Sequence, residues 1–411
     1  MGAEAPWDVV VVGAGPAGCA AAAQVLLDRP SARVLILDRS EFPRDKACGD
    51  GIAAEAFDEL QRLGFDVSAL VAGYPPLDRL RLRSPGGVDV DRRMRRQVRV
   101  IPRQVFDDRL LHQVLARGAT FRRHTVRSFE AGPDGVCLDG QVTAKVVIGA
   151  DGASSVVRRS LGAAARRSGD RATGRRSGDR ATGRWSGDGA TGRWSGDGSA
   201  GHVALAIRGY APVPAGLEDA QLITMTDKRW PAYAWSFSTG DGWANVGYGE
   251  LLTGKPLSRR EMVSALHELV PGLETPQHLR GHRLPLSSGR PDVPDGRVLL
   301  AGDAQSLVNP LTGEGIFYAV VSGALAGRAA ASGQGAGSAY RVLLRDRLEW
   351  HLRSASVVHT LGRWPGLVDV GMRSAARHRG AFDDLVRFGL ADGGLTPRML
   401  AGLLPSRLRN P

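Results

Sequence analysis

From Asp8 to Val12 a β-branched apolar run enters a glycine turn, and an alanine-rich stretch with the pattern of a buried helix follows to about Leu27. A second apolar run, Val34 to Leu37, ends on Asp38. Strand, turn, helix and strand in this order predict a βαβ unit. After Phe42 the pattern becomes irregular, and a helical stretch spans roughly Ile52 to Leu63. Residues 78 to 100 read as short strands around a Pro85-Gly86-Gly87 turn. Arg103 to Ala116 reads as a helix with Val105, Phe106, Leu110, Leu111 and Val114 on one face. Val146 to Ile148 is a further buried strand, and it runs into Gly149-Ala150-Asp151-Gly152. From His202 to about Glu250 the chain is β-rich, and in AYAWSFS the aromatics Tyr233, Trp235 and Phe237 alternate with small residues. That period of two gives one aromatic sheet face. Asp241-Gly242 then offers a tight turn into WANVGYG, which predicts a hairpin. Arg297 to Ala301 is a buried strand, a helix begins near Gly315, and the chain from about Tyr340 is helical, arginine-rich and interrupted by Gly and Pro.

Residues 167 to 201 break this patterning with RSGDRATGR, RSGDRATGR, WSGDGATGR and WSGDGSAG in tandem, a period of nine. Repeat folds bury a shared apolar face, and these units contain almost no aliphatic residues, so they predict a solvated, disordered loop. Its seven Arg against four Asp contribute +3 of the chain's +12. The arginines elsewhere are scattered and no nucleic-acid-binding pattern accompanies them, so nucleic acid is not the expected partner. A basic surface equally attracts an anionic membrane leaflet, a phosphorylated cofactor or an acidic redox partner.

The N-terminus lacks a basic leader, and its apolar stretch is interrupted by Gly13, Gly15, Pro16 and Gly18, against a signal peptide. No stretch reaches the roughly 18 uninterrupted apolar residues of a membrane span, which leaves contact at a membrane surface open. Cys19, Cys48 and Cys137 are odd in number and widely spaced, which supports neither a disulfide scaffold nor a metal site and fits a reducing cytoplasm.

Gly13-Ala14-Gly15-Pro16-Ala17-Gly18 is a GxGxxG between strand and helix, where glycines permit the turn and the close approach of a pyrophosphate to a helix N-terminus. Asp38, twenty residues beyond Gly18 and followed by Arg39, is positioned for the ribose hydroxyls. The motif does not separate NAD from FAD. The segment LLAGDAQSLVNPLTGEGI, residues 299 to 316, resembles the second flavin-binding fingerprint. In it Gly302 and Asp303 end a buried strand, the Asp303 carboxylate facing a ribityl chain. Pro310 fixes the loop, and Gly313, Gly315 and Ile316 start a helix whose dipole favours reduced flavin. Glu314 reads as a helix N-terminal charge. VIGADGASSVVRRSLG resembles the Asp-Gly motif of flavin hydroxylases, centred on Asp151 and Gly152, and Arg103 occupies the place of that superfamily's basic residue near flavin and pyrophosphate. The cofactor these resemblances imply is FAD.

Two further segments, FPRDKACGDGI and WPAYAWSFSTGDGWANVGYG, resemble the geranylgeranyl reductase family over about residues 8 to 320. The first carries Pro43, Arg44, Lys46, Cys48, Gly49 and Gly51; the second carries Pro231, Tyr233, Trp235, Phe237, Gly240, Asp241, Gly242, Asn245, Val246, Gly247 and Gly249. The family implies hydride delivery from reduced FAD to isolated double bonds of an isoprenoid lipid. Tyr233, Trp235 and Phe237 would then wall the chain and Cys48 would lie at the reaction centre, with Cys48 or Tyr233 as proton donor. Cys48 and the three aromatics also suit plain packing. Monooxygenation of a hydrophobic metabolite is the rival reading. Halogenation is disfavoured because the expected W-x-W-x-I-P segment is incomplete, and a quinone-reducing iron–sulfur flavoprotein would need four cysteine ligands. No second glycine-rich nucleotide turn follows, which leaves NAD(P)H or a ferredoxin-like protein as electron donor.

The expected architecture is α/β: a Rossmann-like FAD-binding domain (1–75, 101–165 and 285–335) interleaved with an antiparallel β-sheet substrate domain (76–100 and 202–284). A disordered repeat loop (166–201) and a C-terminal helical region (336–411) complete it.

Overall fold

The computed structural model describes residues 5–167, 184–186, 193–195, 201–254 and 257–399. Strand Trp7–Val12 lies inside a parallel sheet, between Val34–Asp38 and Val142–Gly149, with Thr120–Arg123 beyond Val34–Asp38. Strand Val142–Gly149 is shared: its C-terminal half pairs in parallel with Val298–Leu300, and its N-terminal half with the antiparallel ribbon Val136–Leu138 and Phe129–Ala131. A sheet covered on both faces needs apolar side chains on both, which is why these strands read as continuous runs. Val9 and Val11 pack toward the helices Pro16–Asp28, Arg103–Leu115 and Ile316–Ala329, and Val10 and Val12 toward Leu35, Leu37 and Val147.

The second sheet has eight strands, in the order Gln277–Pro285, Val203–Pro212, Trp243–Leu251, Ala232–Ser238, Ala220–Thr226, Leu77–Arg83, Asp89–Val100 and Gly51–Ile52. It is mixed rather than wholly antiparallel, because Ala220–Thr226 and Leu77–Arg83 run parallel. These two neighbours come from distant parts of the chain, so no hairpin forces them antiparallel. The outer face of the sheet is covered by helix Arg259–Leu269 through Met262 and Leu266. Its inner face looks into the cleft toward the first sheet.

The C-terminal helices Ala336–Leu361, Pro365–Arg377 and Arg379–Leu390 follow. Met372, Ala375 and Phe382 join Leu77, Leu80, Leu82 and Met94 in one core, so the last two helices close over the end of the second sheet. The run Ile316–Leu361 is long and apolar enough to cross a membrane by composition, but 67% of its apolar window is buried inside the protein, as for a core helix.

Most of the repeat lies outside the described residues. Within it, Arg184–Ser186 and Arg193–Ser195 form short strands that pair with each other, and the latter with Leu257–Ser258, where a wholly disordered loop was expected. In that pairing Trp185 stands opposite Trp194.

Candidate functional site

Between the two sheets and the C-terminal helices lies a cavity of about 920 Å³. On one side it is bounded by the turn after the first strand, where Gly13 takes φ +109° and a Cβ on Gly18 would lie 1.8 Å from the Gly13 carbonyl oxygen. Any larger residue at Gly18 would push the helix off the turn. Helix Pro16–Asp28 starts with Gly15 as a cap that has no side chain to satisfy the first amides, so these N–H groups and the dipole are available to an anion. Gly13, Gly15, Pro16 and Ala17 line the cavity; Gly18 lies behind them and shapes the turn. The backbone orients Asp38: one carboxylate oxygen accepts from Ala14 N at 2.9 Å and the other from Ser40 N at 2.9 Å. Arg39 is exposed at the cavity edge.

Arg103 is 4% exposed and makes a two-pronged pair with the buried Asp107, both contacts at 2.6 Å, and Arg44 reaches the same carboxylate at 3.2 Å. Burial alone would weaken the Arg103 charge, but Asp107 more than offsets it, so the guanidinium stays protonated. The Arg44 and Arg103 guanidiniums lie 3.5 and 3.7 Å from where a Cβ on Gly15 would sit. Amides, a helix dipole and two cations converge there, a donor set that suits a pyrophosphate.

Farther along the cavity, Lys46 donates to Asp303 at 3.0 Å, with His282 Nε2 3.9 Å from the same oxygen. Burial pushes the Asp303 carboxyl up, and Lys46 and His282 overcome this to hold it well below the usual carboxylate range. Arg158 clamps the turn behind by donating to the Asp303 and Ala304 carbonyls at 3.1 and 2.9 Å. Asp151 caps helix Val156–Arg167 through Val156 N at 2.6 Å, while its other oxygen is buried without a partner at the cavity wall beside Gly152. The second helix N-terminus at the cavity, Ile316, has Gly315 as cap, and Glu314 accepts from Phe317 N at 2.8 Å. Burial raises the Glu314 carboxyl to about 7. Gly313, Gly315 and Ile316 line the cavity, whereas Gly302 and Pro310 lie behind its surface and support the loop.

The opposite wall is the inner face of the second sheet. Alternation sends Ala232 and Ala234 to the outer core and Tyr233, Trp235 and Phe237 inward, with ring centroids 6.0 and 6.4 Å apart. Trp235 is buried, and its indole donates to Asn245 Oδ1 at 2.8 Å; Gly247 makes room for it, since a Cβ there would lie 2.2 Å from the ring. The Tyr233 hydroxyl donates to the Thr312 carbonyl at 2.6 Å and so ties the sheet to the fingerprint loop. The Cys48-Gly49 turn packs on Trp235 and Phe237, and its carbonyl accepts from Asn245 and Arg208 at 2.8 and 3.2 Å. Burial pushes the Cys48 thiol up, so it stays protonated at neutral pH. Beside it, Asp50 holds φ +59° and accepts from Tyr210 Oη and Asn245 Nδ2 on one oxygen, while its other oxygen is buried with no partner. Burial raises the Asp50 carboxyl to about 6, against the pull of Arg208.

The cavity thus gathers the GxGxxG turn, Asp38, Arg103, Cys48, Gly49, Asp151, Gly152, Asp303, Tyr233 and Trp235 around one space. Sequence reasoning missed Asp50, Asp107, Arg158 and Arg208. Asp107 sits four residues after Arg103 on one helix, a spacing that signals an ion pair. Arg208 shares its strand face with Ala204 and Ala206, and a lone arginine at that period marks a lined pocket.

Comparison with known proteins agrees with this geometry. Residues 6–177 match the family described as FAD binding domain. The chain is 33% identical over 362 residues to a menaquinone reductase of Mycolicibacterium smegmatis, covering 79% of this chain and 76% of that one. It is 30% identical over 341 residues to a digeranylgeranylglycerophospholipid reductase of Methanopyrus kandleri, covering 79% and 80%. Among solved structures, a geranylgeranyl bacteriochlorophyll reductase-like protein from Thermoplasma acidophilum superimposes with a TM-score of 0.75 at 19% identity over 98% of this chain and 96% of its own. A flavin-dependent brominase superimposes at 0.68 with 15% identity, a likeness of fold. The Thermoplasma superposition takes in the C-terminal helices, which the sequence resemblance had left outside. With its nucleotide cradle and its Lys46–Asp303 pair joined to an aromatic strand in one cavity, the chain belongs to the geranylgeranyl reductase family of FAD-dependent oxidoreductases.

Proposed function

We propose that the protein reduces carbon–carbon double bonds of a polyprenyl chain, with a menaquinone-type lipid as the first substrate to test. The observation that carries this reading is the composition of the cavity beyond Cys48. There Leu80, Leu82, Ile223, Met372, Leu385 and Val386 continue the wall away from the charged cradle, so the space suits a long apolar chain. The names of the relatives support the same substrate class.

Bound FAD would supply the hydride. Gly13, Gly15, Arg44 and Arg103 would hold its pyrophosphate and Asp38 its adenosine ribose. Asp303, steadied by Lys46, would meet the ribityl chain, and the Gly313–Ile316 turn the ring. An unactivated alkene also needs a proton. Tyr233 is ill-suited to give it, because its hydroxyl proton is committed to Thr312 O. Cys48 keeps its thiol proton at the cavity wall, and the neighbouring Asp50, with a free oxygen, is the group that would restore it. NAD(P)H or a ferredoxin-like protein would reduce the flavin between turnovers.

The test is anaerobic. The dithionite-reduced protein is mixed with menaquinone or geranylgeranyl diphosphate while flavin absorbance and product mass are followed. Reoxidation with a gain of two mass units per bond, about the mass of H2, that persists after the product is reoxidised in air and so lies in the chain rather than in a quinol ring, supports the reading. Flavin that stays reduced until air enters, followed by oxygen gain in the substrate, replaces it with monooxygenation.

A further inference from the structure

Residues 336–411 hold twelve arginines against six acidic residues, a surplus of +6 and half of the chain's +12. The same region carries most of the large apolar side chains exposed among the described residues: Val342, Trp350, Val357, Leu361 and Trp364. Trp350, Val357 and Leu361, spaced by seven and four, lie on one face of helix Ala336–Leu361, and Trp364 follows one turn later. The two indoles are 66% and 69% exposed, an unusual cost for tryptophan in water. Arg353 shares that face, its side chain largely in solvent and paired to Glu349 on the preceding turn, and Arg363 is exposed beside Trp364. An amphipathic tryptophan stripe with interleaved arginines suits the boundary between headgroups and acyl chains.

The stripe is continuous with the cavity. Leu361 is exposed to solvent and also lines the cavity, together with Val358, Gly362 and Leu367. The Gly362 carbonyl accepts from Trp230 Nε1 at 2.8 Å, which fastens this rim to the start of the aromatic strand. An apolar route therefore leads from the surface stripe to the wall formed by Tyr233, Trp235 and Phe237.

We propose that the Trp350–Trp364 stripe docks on an anionic lipid leaflet, and that the apolar chain passes from the leaflet into the cavity at Leu361 and Gly362. The entry step rests on the reading that the cavity takes an isoprenoid chain; the docking step does not. Docking needs no conformational change, because the tryptophans already project outward. Arginine surplus supplies long-range attraction that salt weakens, and the indoles supply insertion that salt leaves intact.

The test uses the purified flavoprotein and vesicles of phosphatidylcholine, with and without phosphatidylglycerol, in co-sedimentation without substrate. Binding to the phosphatidylglycerol vesicles, with little to phosphatidylcholine alone, is expected. Trp350→Ser/Trp364→Ser should weaken it at least about tenfold and leave flavin content and the reduction of detergent-dispersed substrate unchanged. Arg353→Glu/Arg363→Glu should lose binding chiefly at low salt. Absence of wild-type binding, or vesicle binding unchanged in both double variants, would overturn the proposal. So would a wild-type dimer in sedimentation velocity that the tryptophan variant abolishes, since the stripe would then belong to a second copy. Because vesicle binding is read without turnover, a negative result leaves the reductase reading standing, and failed reduction leaves the docking face to be judged alone.

Discussion

On the cradle side of the cavity, Arg44, Arg103, Asp107, Lys46 and Asp303 hold one another in ion pairs at 2.6 to 3.2 Å, and backbone amides fix Asp38. On the far side Leu80, Leu82, Ile223, Met372 and Val386 bring no charge and no hydrogen bond to the same space. As a holder of the cofactor the cradle would have to match a fixed pattern of phosphates and hydroxyls, so each position would tolerate few residue types. On the proposed reading the far wall would only exclude water and leave length for a chain, so many apolar combinations would serve. Substitutions should therefore act as specific losses of cofactor on one side and as graded changes in accommodated length on the other.

The largest effect should come from Gly15→Glu. A Cβ there meets only ordinary contacts, so the fold tolerates it, but the new carboxylate can pair with Arg44 and Arg103 and occupy the place of the pyrophosphate. The purified variant should be colourless at 450 nm with an unchanged far-ultraviolet spectrum; a yellow protein would remove the cradle assignment. Next in size is Val386→Trp, which fills the far wall. Turnover of a long polyprenyl substrate should fall about tenfold or more, equivalent to about 1.4 kcal/mol at the barrier, with a short-chain analogue spared and flavin retained. Equal losses for both chain lengths would show that this wall does not measure length.

Glu314→Gln probes the boundary between the two sides through stability. The native carboxyl is raised by burial to about 7, so the folded state binds a proton that the unfolded chain, titrating near its ordinary value, has already lost. Wild-type stability from this group is thus present below the unfolded value and declines as pH rises through about 7. The glutamine variant should gain on wild type by about 2 kcal/mol at pH 8 and by nothing at pH 4, read by denaturant melts of the apoprotein. Asp50→Asn should remove an inflection near pH 6 from the rate of alkene reduction, while flavin content holds; a profile identical to wild type would leave Asp50 as a packing residue. The smallest effect belongs to Tyr233→Phe, which leaves the Thr312 carbonyl without its donor and should cost about 1 kcal/mol of stability, with reductase chemistry preserved. Abolished reduction would return Tyr233 to the role of proton donor.

The cradle was legible from its residues because a pyrophosphate turn leaves a local signature: Gly13, Gly15 and Gly18 at fixed spacing, then Asp38 at the end of the next strand. The aromatic strand was legible for a similar reason, since its period of two sorted Tyr233, Trp235 and Phe237 onto one face before any partner was known. Asp50 was not. Its carboxyl matters because Tyr210 and Asn245, 160 and 195 residues later, seal one of its oxygens and leave the other alone. Pro310 and Gly302 differ in the opposite sense: the fingerprint marks them, yet they stand behind the cavity surface and act by shaping its loop.

The sequence by itself determined the nucleotide-binding unit, because a short motif dictates its local backbone geometry, and longer segments resembling known flavoproteins pointed to the flavin and the family. Tertiary structure alone decided that the chain's last helices complete the cavity, that Lys46 meets Asp303 across 257 residues, and that Leu361 belongs at once to the surface and to the pocket wall. Those relations depend on how the two sheets and the C-terminal helices pack. Packing is set by apolar area and shape summed over many side chains, which no single stretch of sequence encodes.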